Sequence, residues 1–244
     1  MEQHALRPHL EAKYAYSAGD RHLLIASLAV HCVPDLRYPE GQVNSLYYDT
    51  PGRTLLAEKV NSDYIKTKVR LRWYGAVEAG RKQMIPAYVE IKSKEGTLRN
   101  KRRKRVDVSA RLLVEGEESL GELQDFVRHA YELGCPVRGP LFPMIVIRYT
   151  RMRFIEPRSG ARLSLDSDIR FSCVNQQFYP PVPALTLPGG VLEVKSRTGK
   201  LPEGLSVIRN LIRKKDSFSK YEECWQVHAD PRYQREFRWM YYER

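Results

Sequence analysis

Charged and apolar residues alternate along several short runs of the chain. In Lys66-Thr67-Lys68-Val69-Arg70-Leu71-Arg72 and Val89-Glu90-Ile91-Lys92-Ser93-Lys94 every second residue is charged. A period of two is the strand repeat, so these charges share one face of a β-strand. The style recurs at Arg103, Arg105 and Asp107, at Arg151 and Arg153, at Arg162, Ser164, Asp166 and Asp168, and at Glu193 and Lys195. Between them stand Val106 and Val108, Leu163 and Leu165, and Leu192 and Val194, an apolar set with the same period. The pattern predicts strands over roughly residues 10–16, 43–49, 64–74, 87–94, 102–109, 145–155, 161–171 and 190–196.

Three helices stand among the strands. Ser17 with Asp20 reads as an N-cap pair opening a helix through Leu24 and Leu28 that stops before Pro34. Ser119 with Glu122 repeats the device for a second helix, with Leu120, Leu123, Phe126, Val127 and Ala130 on one stripe and Gly134 at its end. A third starts near Pro202 and carries Leu205, Ile208, Leu211 and Ile212. These stripes are packing surfaces. The Pro-rich stretch from Tyr179 to Gly190 reads as a loop, and Pro231 to Arg244 as either a packed helix or a frayed end. About eight strands with few helices predict an α+β fold, an antiparallel barrel or sandwich, as a single domain.

A face of like charges cannot be buried unpaired, because each desolvated ion costs several kcal/mol. It needs open water or a multivalent anion. One such strand is ordinarily a solvated face; six in the same style argue for a shared cationic lumen lined by the charged positions, with the helices outside. The carboxylates Glu11, Glu90, Asp166, Asp168 and Glu193 then balance the cations or offer oxygen ligands to Mg²⁺ or Mn²⁺. Arginine suits the anion because its planar fork takes two phosphate oxygens at once.

Composition agrees with a polyanion partner. The 244 residues carry a net charge of +12, which attracts nucleic acid, an acidic membrane surface or a phosphate-rich ligand. Four dispersed cysteines form no C-x-x-C pair and read as reduced thiols. The start of the chain has no signal-like apolar stretch, and no run approaches a membrane span. A cytoplasmic protein without a transmembrane segment is expected.

Other chemistries find no support. The six histidines show no metal-ligand spacing. Gly199-Lys200 mimics the end of a phosphate-binding loop, but Val194 stands where its first glycine belongs. There is no G-x-S-x-G elbow for acyl-enzyme hydrolysis.

The runs SLYYDTPG at 45–52, KVRLRWYG at 68–75, YVEIKSKEG at 88–96, YTRMRF at 149–154, RLSLDSDIRF at 162–171, LEVKSRTGKLP at 192–202 and SFSKYEE at 217–223 resemble, in order, the motifs of the polyphosphate-polymerase (VTC) domain of the triphosphate tunnel metalloenzymes. The resemblance covers about residues 11–223, leaving 224–244 as a C-terminal extension. It implies an eight-stranded antiparallel β-barrel tunnel with helices packed outside. The implied activity is transfer of the γ-phosphate of ATP to a growing inorganic polyphosphate chain, with ADP released and Mn²⁺ or Mg²⁺ required.

Carried over by motif, Arg70, Arg72, Lys92, Arg151 and Arg162 grip the reacting phosphates. Lys13, Arg103 and Lys220 contact substrate, Arg105 shares the face of Arg103, and Lys68 and Lys195 belong to the same charged faces; Glu193 holds the metal. No side chain serves as a nucleophile, and catalysis is position and charge. Tunnel hydrolases of the CYTH type favour E-x-E-x-K on the first strand. His9-Leu10-Glu11-Ala12-Lys13 lacks the first acid, which argues against a triphosphatase. The eukaryotic polymerases carry a phosphate-sensing helical domain and membrane helices, neither of which is read here, so a bare catalytic domain is expected. A non-catalytic polyanion- or RNA-binding module is the remaining alternative. RNA readers interleave stacking aromatics with their cations, whereas Trp73 and Tyr74 end a strand, so nucleic acid is not the expected partner.

Overall fold

In a computed structural model of the protein, the residues described are 10–78, 83–96, 98–115, 119–178, 183–215 and 218–230. All eight expected strands form: β1 (Leu10–Ser17), β3 (Glu40–Asp49), β4 (Ile65–Tyr74), β5 (Met84–Glu95), β6 (Leu98–Ser109), β7 (Phe142–Glu156), β8 (Ala161–Cys173) and β10 (Gly189–Ser196). Three short ones join them: β2 (Val33–Pro34), β9 (Leu185–Thr186) and β11 (Arg213–Lys215). The last two residues before Leu187 thus make a strand inside the stretch expected to be loop, because Leu185 and Thr186 lie between the prolines and can bond to β8.

The helices are α1 (Arg21–His31), α2 (Thr54–Val60), α3 (Ala110–Glu115), α4 (Leu120–Gln124), α5 (Val127–Glu132) and α6 (Lys220–Ala229). The Ser17–Asp20 device holds: the Asp20 N–H donates to Ser17 Oγ at 3.3 Å, and the Ser17 hydroxyl donates to Asp20 at 2.6 Å. The second expected helix is instead two short ones, α4 and α5, and Ser119 makes no side-chain cap bond. The apolar stripe is kept across the break, with Leu123, Val127 and Ala130 buried. Near Pro202 the chain forms a 3₁₀ helix, Glu203–Leu211, interrupted at Leu205. The extension expected from residue 224 begins inside α6; Pro231 to Arg244 lies outside the described residues.

The chain groups into two compact units. The first takes the residues up to Gly41, Tyr149–Ile169 and Leu187–Phe218. Its strands follow the order β11-β1-β10-β8-β7, with β2 on β7. The apolar positions Ala12, Tyr14, Tyr16, Leu163, Leu165, Leu192 and Val194 meet Leu24 and Leu28 of α1 and Leu205 and Ile208 of the 3₁₀ helix in one core.

The second unit takes Gln42–Arg148, Arg170–Thr186 and the residues from Ser219. Its order is β3-β4-β5-β6, antiparallel throughout. Leu46 and Tyr48, Val69 and Leu71, and Val89 and Ile91 pack with Leu123, Val127 and Ala130 of α4 and α5. In both units the alternation therefore sorts as expected, apolar face to helices and charged face away from them. The expected closed eight-stranded barrel is corrected: the sheet is mostly antiparallel and α+β, but no ladder among the described residues closes either order on itself. Alternation says which face a residue occupies, and it does not say whether the edge strands meet.

Candidate functional site

The charged face of the second unit is set by register. Across β4, β5 and β6 the rows are Lys66, Lys94 and Arg99; Lys68, Lys92 and Lys101; Arg70, Glu90 and Arg103; Arg72, Tyr88 and Arg105. These twelve positions hold ten cations and one carboxylate, Glu90. Three of the expected grips, Arg70, Arg72 and Lys92, are thus neighbours on one face with the expected substrate contacts Lys68, Arg103 and Arg105. Lys101 belongs with them and was missed, because both faces of residues 99–105 are charged and hide the period.

The two central arginines are buried and held from both sides. Arg70 is 6% exposed, and its Nε and Nη2 donate to Glu90 Oε2 at 2.9 and 2.6 Å. The other Glu90 oxygen pairs with Lys101 Nζ at 2.5 Å. Burial pushes the Glu90 carboxyl up, but Arg70 and Arg72, with the bonds from Lys101 and Arg70, outweigh it and bring it from 4.5 down to about 2. On the other side β3 places Tyr47 in register with Arg70 and Ser45 in register with Arg72. Arg70 Nη1 donates to the Tyr47 hydroxyl at 3.3 Å, and Arg72 Nε donates to Ser45 Oγ at 3.1 Å. Burial raises the Tyr47 phenol, yet the two guanidinium charges outweigh it and hold it below the usual tyrosine value. Lys68 Nζ donates to Ser219 Oγ at 2.8 Å, immediately before Lys220 opens α6.

In the first unit Lys13, Arg151 and Glu193 come together with two acids. Arg151 forms a two-point pair with the fully buried Asp166 and a 3.3 Å contact with Glu193 Oε2. Burial would lower the Arg151 guanidinium, but Asp166 outweighs it and keeps the charge in place. The Arg151 guanidinium also lies 5.5 Å from the Tyr149 ring centre. Lys13 stands 3.3 Å from Glu11 and 3.8 Å from Glu193, and donates to the Phe218 carbonyl. Arg162 and Lys195 are register partners one row away; Arg162 is exposed and Lys195 half-buried.

The acids therefore act as counter-charges. Asp166 holds the half-buried Arg151 and Glu90 the buried Arg70, and Asp168 pairs with Arg21 at 3.0 Å. A Mg²⁺ or Mn²⁺ ion needs several oxygen ligands, and among the described residues no three His, Cys, Asp or Glu side chains converge. Glu193, the expected metal ligand, is turned to Lys13 and Arg151. The donors as arranged do not fit a divalent cation. What the second unit's face does fit is an anion with several oxygens, since Arg70 and Arg72 are already dehydrated and held in place.

A protein-family model described as the VTC domain matches residues 6–228. No curated protein matches the chain. Among solved structures, two proteins each named "putative adenylate cyclase" are similar to it. The one from Bacillus halodurans is 15% identical, covers 79% of this chain and 82% of its own, and has a TM-score of 0.43. The one from Vibrio parahaemolyticus is 12% identical, with 83% of each chain covered and a TM-score of 0.40. No described helix is long and apolar enough to cross a membrane.

Proposed function

The chain belongs to the VTC domain family, and on that premise we propose that it is a polyphosphate polymerase, moving the γ-phosphate of ATP onto the end of an inorganic polyphosphate chain. The observation that carries this reading is the β4-β5-β6 face, with ten cations to one carboxylate across four rows. Such a face is far in excess of what its own acid can balance, and it extends over several phosphate spacings. A terminal phosphate oxygen of the chain attacks the γ-phosphorus, a new P–O bond forms, the bond to the β-phosphate oxygen breaks, and ADP leaves. The reaction needs no protein nucleophile.

Arg70 and Arg72 hold the transferring phosphate, with Lys92 and Arg103 on its neighbours; Lys68 and Arg105 extend the face, and Lys220 sits at the start of α6. Lys13, Arg151, Arg162 and Lys195 supply the cations of the first unit. The effect of the second unit's cations is to offset the charge that accumulates on the phosphoryl oxygens in the transition state. Glu193 is assigned to orienting Lys13 and Arg151. The family implies Mn²⁺ or Mg²⁺, which would add to this neutralisation of charge. Incubation with ATP and either metal, followed by a toluidine-blue gel, tests the reading: a ladder of long chains supports it, and free phosphate without chains identifies a triphosphatase.

A further inference from the structure

Arg70 is held by an asymmetric set of bonds. Its Nε and Nη2 both end on one atom, Glu90 Oε2, while Glu90 Oε1 is taken by Lys101. Two donors converging on a single oxygen fix the guanidinium's distance but leave its plane able to tilt about that oxygen. A further constraint is the Tyr47 hydroxyl at Nη1. Tyr47 is 6% exposed, and its ring lies against that of Tyr221 with centroids 5.2 Å apart and planes 14° from parallel, an attractive arrangement when offset. Tyr221 is in turn anchored, its hydroxyl donating to Asp49 Oδ2 at 3.0 Å. Asp49 is fully buried and accepts the N–H groups of Thr50, Leu55 and Leu56, so it ties the start of α2 to the strand that carries Tyr47. α6 is pinned beside this point by Glu222, 2.7 Å from the buried Lys59 of α2, and by Trp225 under the Arg53 guanidinium.

We propose that Tyr47 and Tyr221 are positioning residues for Arg70: Tyr47 sets the tilt of the guanidinium, and Tyr221 of α6 holds Tyr47 in place, so that seating of α6 is part of the phosphate grip. This rests on the assignment of Arg70 as a phosphate ligand. The charge of Arg70 and Arg72 acting on the Tyr47 phenol agrees with a hydroxyl committed to them. The consequence is specific. Tyr47 should matter only while Arg70 is present, which a residue that merely fills the fold would not show.

The test is binding of inorganic tripolyphosphate, by calorimetry, to the full chain and to Tyr47→Phe, Arg70→Ala, the double variant, Tyr221→Leu and Tyr221→Phe, with the melting temperature of each recorded. Tyr47→Phe is expected to weaken binding about tenfold, and to have no further effect once Arg70 is alanine. Tyr221→Leu is expected to weaken it similarly, with Tyr221→Phe restoring most of the loss because the stacked ring is kept. Should Tyr221→Leu fail to fold, the Tyr47 cycle stands alone, since removing one hydroxyl leaves packing intact. If Arg70→Ala weakens binding and Tyr47→Phe does not, or if the two effects simply add, the positioning role is overturned. If the native protein does not bind tripolyphosphate, or Arg70→Ala binds as well as native, the assignment of Arg70 falls first.

Discussion

Arg151 grips Asp166 with two parallel bonds, Nε to Oδ1 at 2.6 Å and Nη2 to Oδ2 at 2.7 Å, and Asp166 has no exposed surface. A fork-to-fork pair of this kind fixes the arginine's plane as well as its charge. Neutralising the buried carboxylate leaves the Arg151 charge with only its longer contact to Glu193. Asp166→Asn is therefore expected to cost about 3 kcal/mol of stability, read as a lower urea midpoint at an unchanged slope. A loss under about 1 kcal/mol would place the pair with weak surface bridges instead.

Glu90 makes the corresponding contact in the second unit, and it gives that unit an acid sensitivity. Its carboxyl lies at about 2 in the fold against 4.5 ordinarily. A depressed folded value means that its contribution is whole above 4.5 and is lost as pH falls toward 2. The stability difference between the native protein and Glu90→Gln should be flat at neutral pH and shrink across that window. An equal difference at pH 3 and pH 7 would show that the Arg70 pair does not hold the proton off.

Gly190 explains how closely the strands approach behind Asp166. A Cβ built there would stand 2.2 Å from the Asp166 carbonyl oxygen and 2.2 Å from the Tyr16 hydroxyl, which donates to that same carbonyl. The carbonyl cannot move without opening the β8–β10 ladder, and the Tyr16 ring, buried on β1, is bonded to it. Gly190→Ala should destabilise the protein by about 3 kcal/mol, measured by thermal melting, and a native-like melting temperature would mean that the strands are further apart.

Glu193 separates two accounts of the acids. If it serves Lys13 and Arg151, Glu193→Gln lowers the rate of polymer synthesis by about tenfold but leaves the Mn²⁺ concentration for half-maximal activity where it was. A shift of that concentration to higher Mn²⁺ would return Glu193 to the role of metal ligand.

Much of this was readable before the fold. Period-two alternation located all eight long strands and sorted their faces, since burial on one side enforces it; Leu163 and Leu165 against Arg162 and Ser164 are an instance. The break between α4 and α5 was not readable, because the stripe of Leu123, Val127 and Ala130 survives it. Closure of the sheet was not readable either, as it depends on partners of edge strands that no local pattern specifies. The expected cations come from motifs, and the register gathers Lys68, Arg70, Arg72, Lys92, Arg103 and Arg105 on one face. Their holders were harder to see. Glu90 and Asp166 suit a metal and a guanidinium equally as residue types, and only distance decides. Tyr47, in a run of strand aromatics, reads as core until β3 is set in register with β4.

The most direct test of the central claim is a simultaneous count of ADP and free phosphate as the protein consumes ATP labelled at the γ-position. Polymer synthesis predicts ADP accumulating without matching free phosphate, the missing label being recovered in acid-labile chains. ADP and free phosphate rising in equal amounts, with no label in chains, would contradict it.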